Sequence, residues 1–105
     1  WNSIEAYVDS GAWFSIFSTK EAEVLGLNYA KGRKIYSMVG DGSLIPVYLH
    51  KLSVKIGDIP FKASIGFSPR LGIGFNLIGR KDFFDNFEIT FSDSTKTIIF
   101  SPANK

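Results

Sequence analysis

Between Ser43 and Ile56 the apolar residues change sides: Ile45, Val47 and Leu49 share one parity, and Leu52, Val54 and Ile56 share the other. Successive side chains of a strand point to opposite faces. The pattern therefore predicts one long strand that presents different faces over its two halves. A bulge or bend near His50 and Lys51 would make that switch. Pro46 has no N–H to give to a ladder, which places the first half on an edge, as an arm projecting from the body.

The rest of the chain is also punctuated for β-structure. Ile4, Ala6 and Val8 alternate with Glu5 and Tyr7, and Arg33 to Val39 reads as a further strand. Phe61, Ala63, Ile65 and Phe67 alternate with Lys62 and Ser64, and Phe87, Ile89 and Phe91 alternate before a return strand from Lys96 to Phe100. Gly40-Asp41-Gly42, Gly57-Asp58 and Asp93-Ser94 supply turns, Ser68 to Gly74 a loop, and Asn76-Leu77-Ile78-Gly79 a brief apolar run. Ser18-Thr19-Lys20-Glu21 has the spacing of a capping box opening a short helix to about Leu25, which Gly26 ends. A second short helix is expected from Arg80 to Phe87, with Phe83 and Phe87 on one face. About seven strands and two short helices give a mainly β, mainly antiparallel domain of barrel-like or folded-sheet architecture.

At 105 residues the chain fits one domain, 1–105, with a small core that oligomerisation would help. It starts at Trp1, close to the first strand, as a domain trimmed at its N-terminus would. A net charge of +2 without a cluster of Lys and Arg argues against nucleic acid as a partner. There is no cysteine and one histidine, His50, so Cys- and His-rich metal sites are excluded and no cofactor is expected. His50 itself reads as an exposed strand residue. No apolar run approaches the ~20 residues that span a bilayer, and no signal peptide is visible. These features favour a cytoplasmic setting. Gly72-Ile73-Gly74 lacks the third glycine and the helix of a dinucleotide site.

Chemistry is concentrated in Val8-Asp9-Ser10-Gly11-Ala12-Trp13, at the end of the first strand. Asp, Ser and Gly are common turn residues, and alone they describe a solvated turn. Three things change the balance. The motif follows an alternating strand. A Gly-tipped hairpin lies downstream. Asn76-Leu77-Ile78-Gly79-Arg80 comes later and leads into an aromatic segment.

Together these residues resemble a retropepsin-type aspartic protease domain, especially the non-viral and bacterial single-domain members, over nearly the whole chain. Val8-Asp9-Ser10-Gly11-Ala12 resembles the family's hydrophobic-Asp-Thr/Ser-Gly-Ala signature. Leu77-Ile78-Gly79-Arg80 resembles the hydrophobic-hydrophobic-Gly element that packs under the catalytic loop. Gly40-Asp41-Gly42 lies where the family carries its flap. The resemblance implies a retropepsin-like acid protease fold, a closed or folded antiparallel barrel with one or two short helices. It also implies an aspartic endopeptidase activity on peptide or protein substrates. Asp9 would be the catalytic carboxylate, with Ser10 and Gly11 supporting it. Met38, Val39, Gly40, Asp41 and Gly42 would form the flap, and Ala12, Trp13, Phe14, Phe75 and Leu77 would line the substrate pocket. Gly79 and Arg80 would be structural. For Phe14 and Phe75, core packing is an equal alternative, and a plain surface turn is the alternative for the hairpin tip.

Such an enzyme uses two carboxylates in contact that share one proton. This chain offers one, so the resemblance requires a homodimer with its two-fold axis through the pair. Two departures bear on that dimer. Trp13 stands where retroviral members place an Asp that pairs with the Arg of the Gly-Arg element, leaving Arg80 either as dimer support or as a solvated helix N-terminus. The C-terminal strand-turn-strand is more like the cellular members, so the interface would be a hairpin pair. The competing reading is a non-catalytic peptide-binding or dimerisation module on the same fold.

Overall fold

The computed structural model describes residues 3–38, 42–70, 76–92 and 97–103. In chain order the elements are β1 (Ala6–Val8), β2 (Ser15–Ser18), α1 (Thr19–Val24), a 3-10 turn (Tyr29–Lys31), β3 (Arg33–Met38), β4 (Leu44–Ile56), β5 (Ile59–Ser68), β6 (Asn76–Ile78), β7 (Phe87–Ser92) and β8 (Thr97–Pro102). Six strands form one sheet in the order β1-β6-β2-β5-β4-β3, and β7 pairs with β8 alone. The mainly β class holds, and the pairing among the described residues is mainly antiparallel, in four of six strand pairs, although the six-stranded sheet is mixed. β1 runs parallel to β6, and β2 runs parallel to β5. Among the described residues the sheet stays open, with β1 and β3 as its edges, so of the closed or folded barrel expected the closed form is not found.

The parallel pairs arise because β6 lies between β1 and β2. The segment 9–14 crosses over the end of β6, so two strands adjacent in sequence are separated by a third from far downstream. Hairpin logic, which pairs sequence neighbours, does not find this arrangement. It also leaves β2 unanticipated as a separate strand.

The parity switch in β4 has a different cause from the bulge expected. Pairing with β5 runs without interruption from Tyr48↔Phe67 to Ile56↔Ile59. Instead, both faces of the sheet are covered. One core gathers Phe17, Ala22, Ala63, Ile65, Phe67 and Phe83, and Leu52, Val54 and Ile56 pack on it. The other gathers Ile16, Ile45 and Val47, with Phe14, Ile35, Leu49 and Leu77 against them. One strand with no bulge in its pairing serves both. Pro46 behaves as expected: residues 44–47 pair with β3 but not with β5. Its carbonyl accepts the Ser68 hydroxyl at 2.7 Å.

α1 forms where the sequence places it, and Gly26 ends it at φ +74°. The capping box does not form, because Ser18 makes no side-chain cap bond and Glu21 turns to the Asn76 amide at 3.3 Å. The helix expected from Arg80 to Phe87 is replaced by successive turns, closed by Phe84 N–H on the Arg80 carbonyl (2.9 Å) and Phe87 N–H on the Phe83 carbonyl (3.0 Å). Asp82 breaks it with φ +69°. Its carboxylate accepts the Ser64 N–H at 2.7 Å, just past the point where β2 begins to pair with β5 at Ser15↔Ile65. The bond is tertiary, to a strand 18 residues away, and it fixes Asp82 in a conformation that a continuing helix excludes. Phe83 and Phe87 are still both buried, with the Phe61 ring 5.3 and 5.4 Å from theirs. His50 is half-buried rather than exposed: its Nε2 donates to the Tyr29 carbonyl at 2.8 Å, and its ring meets Phe67 edge-on at 5.6 Å.

Candidate active site

Asp9 sits one residue beyond the end of β1, held there by its own N–H, which donates to the Ile78 carbonyl at 2.8 Å. Its side chain is solvent-exposed. The Gly11 N–H donates to Asp9 Oδ1 at 2.9 Å, and the Ala12 N–H donates to the Asp9 carbonyl at 3.2 Å. A Cβ on residue 11 would fall 3.3 Å from Asp9 Oδ1, so glycine leaves the carboxylate its closest seat. This is the bond of an Asx turn; it explains how the carboxylate is aimed, whatever its use. Ser10 is exposed in the same turn.

The loop is supported from below by β6 and by residues 79–81 beyond its end. The Gly79 N–H donates to the Ser15 hydroxyl at 2.9 Å, Arg80 N–H to the Ala12 carbonyl at 2.9 Å, and Lys81 N–H to the Trp13 carbonyl at 2.8 Å. A Cβ on residue 79 would lie 2.5 Å from the Phe14 carbonyl oxygen and 2.8 Å from that of Trp13, so only glycine lets the two segments approach this closely. The Arg80 guanidinium lies over the Phe84 ring at 4.6 Å, in the cation–π arrangement. It does not stand at a helix N-terminus, since no helix forms there.

Asn76 ties the other end together. It is buried, its Nδ2 donates to the Glu5 carbonyl at 2.9 Å and to Glu21 Oε1 at 3.3 Å, and its Oδ1 accepts the Ser18 N–H at 3.0 Å. Both amide hydrogens and the oxygen are therefore engaged, across three elements of the chain. From sequence alone, Ser15 and Asp82 carry no assigned role, and Asn76 enters only as the first residue of the Asn76–Arg80 motif. A small polar residue in an apolar run, as in Ser15-Ile16-Phe17 and Asn76-Leu77-Ile78, is the signal available for Ser15 and Asn76.

Of the expected pocket residues, the structure brings Phe14 and Leu77 together on the second core, and Ala12 is half-buried. Trp13 is 58% exposed and is not part of that cluster. Phe75 lies outside the described residues, as do Val39, Gly40 and Asp41 of the hairpin tip. In the described part of the hairpin, Gly42 has φ +85°, and Met38 stands opposite Leu44, both exposed. At the hairpin's base, the Lys34 ammonium lies 5.2 Å from the Tyr36 ring centre. A hydrogen bond with Tyr36, then the charges that Tyr36 and Tyr48 can carry, hold the Lys34 amine above the ordinary lysine value.

A cavity of about 680 Å³ opens on the opposite face, over the first core, between Ile4, Leu52, Val54 and Phe83; Asp9 does not line it. Among the described residues no cluster of three or more His, Cys, Asp or Glu could hold a metal ion, and no helix is long and apolar enough to cross a membrane. Comparison of the chain with protein-family models, curated proteins and solved structures finds no match to it.

Proposed function

We propose that this chain is one half of a retropepsin-like aspartic endopeptidase, active as a homodimer in which each copy contributes Asp9. The observation that carries the reading is the seat of Asp9: an exposed carboxylate aimed by the Gly11 N–H, on a loop braced by Gly79. Two such carboxylates in contact cannot both ionise, so the pair holds one proton. The ionised Asp9 takes a proton from a water as that water attacks the scissile carbonyl carbon. The protonated Asp9 donates its hydrogen bond to the carbonyl oxygen, where negative charge develops. The same pair then delivers a proton to the leaving amine as the C–N bond breaks.

Two further features support the reading. The hairpin of β3 and β4 ends in exposed Met38 and Leu44, which suits a flap that closes over an extended substrate. The β7–β8 hairpin carries Phe87, Ile89 and Phe91 opposite Pro102, Phe100 and Ile98 on one face. Phe87 is buried against the body, whereas Phe91 and Ile98 remain 48% and 43% exposed, as the apolar part of a dimer interface would be in an isolated copy. The substrates are extended peptides with apolar residues at the cleaved bond, facing Phe14 and Leu77. Asp9→Asn should abolish peptide cleavage, by on the order of 10⁴-fold, while the circular dichroism spectrum and melting temperature stay close to those of the parent. Cleavage retained by a folded Asp9→Asn protein would sink the mechanism.

A further inference from the structure

The sheet face that carries the second core ends in a cationic pocket. Arg33 stands opposite Leu49, and Lys51 stands opposite Ser64. Strand alternation puts these residues on the same face as Ile35 and Val47. Lys81 enters from the loop after β6, positioned by its N–H on the Trp13 carbonyl at 2.8 Å. With Phe14 they line a cavity of about 360 Å³. His50 contributes to its wall, but the His50 ring is engaged on the other face with the Tyr29 carbonyl and Phe67.

The positive charge here is under-compensated. Among the described residues, no carboxylate lies within 4.0 Å of Arg33 or Lys51. Lys81 reaches Asp82 Oδ1 at 4.0 Å, and the other oxygen of Asp82 already accepts the Ser64 N–H. Three cations around one small cavity against one carboxylate repel each other and focus a positive potential into it. An anion seated there relieves the repulsion. Phe14, in the segment that follows Asp9, lines this pocket with Leu49, and both are among the partly buried residues packed around the second core, so the pocket adjoins its accessible rim.

We propose that this pocket binds the side-chain carboxylate of an acidic residue in a peptide that lies across the partly buried residues Phe14, Leu49 and Leu77. The chain would then select extended peptides with an apolar centre and a glutamate or aspartate toward one end. Arg33 offers a planar fork for the carboxylate, and Lys51 and Lys81 add point charges. This inference rests on the proposed reading of the Asp9 face as a peptide site.

The test uses two matched peptide series with an apolar centre, one carrying glutamate and the other glutamine at each outer position in turn. Binding is measured to the full chain bearing Asp9→Asn. Glutamate at one outer position should bind about 10-fold tighter than glutamine. The ratio should fall toward one in a folded Arg33→Ala/Lys51→Ala variant and shrink as salt is raised. Equal affinities at every position, or a preference that survives the double substitution, overturn the pocket. Cleavage of the glutamine series by the parent protein reads the peptidase assignment separately. A glutamate preference without cleavage keeps the pocket and removes the peptidase. Cleavage without preference does the reverse, and no binding of either series overturns both.

Discussion

The Ser15 hydroxyl accepts the Gly79 N–H at 2.9 Å, with Ser15 fully buried and Gly79 pressed against the carbonyls of Trp13 and Phe14. This bond locks β6 beneath the loop that carries Asp9. Ser15→Ala would leave the Gly79 N–H buried without its acceptor. The expected loss is about 1–3 kcal/mol of stability, read from the shift of the urea midpoint at unchanged slope.

Gly79→Ala meets backbone atoms 2.5 and 2.8 Å away, which cannot swing aside as a side-chain tip would. Relief requires the loop 9–14 to lift. A destabilisation of about 1–3 kcal/mol is expected, together with a loss of peptide cleavage larger than stability alone explains. Gly26→Ala is the control: its added Cβ meets nothing within 4 Å and costs only the strain of φ +74°, with activity retained.

Asp82 combines a left-handed backbone with an acceptor for Ser64. Asp82→Asn keeps a side-chain oxygen and a residue type tolerant of positive φ, so it should be nearly neutral. Asp82→Ala loses both and should cost about 1–3 kcal/mol. Equal stabilities of the two variants in chemical denaturation would contradict the role assigned to this side chain.

Much of the strand pattern was legible because alternation reports burial directly, as in Phe61 to Phe67 or Ile45 to Leu49. The Asp9 turn, the short helix after Ser18 and the C-terminal hairpin were legible for the same local reasons. The part that stayed hidden was non-local. The insertion of β6 between β1 and β2 depends on a strand about 60–70 residues downstream, and nothing in Ala6 to Ser18 signals it. The absent bulge at His50 is a similar case: a parity switch shows that both faces are buried, but not whether the strand bends or two cores cover it. The lost helix at Arg80 to Phe87 turned on one side chain, Asp82, finding a partner in β5. At the site, the motifs pointed to the turn and to the Gly79 segment but not to Ser15 and Asn76, because these two act through bonds to residues far along the chain.

Lys34 gives the one pH-dependent expectation. Its amine is held above the ordinary lysine value by Tyr36 and Tyr48. A raised value means the folded state binds the proton more tightly, so its small stabilisation is complete below the unfolded lysine value and is lost as pH rises through the folded one. Lys34→Met should therefore differ from the parent by a constant amount across neutral pH. The gap should close only in strongly alkaline solution, as followed by thermal melts.

In the proposed enzyme two Asp9 carboxylates, one from each copy, form one catalytic pair. The direct measurement is peptide hydrolysis by parent protein mixed with increasing Asp9→Asn protein at fixed total concentration, after exchange of subunits. If both copies must supply Asp9, activity follows the square of the parent fraction, because parent–parent pairs alone are active. A fall linear in that fraction, or no hydrolysis by the parent at concentrations where it is dimeric, would contradict the shared pair.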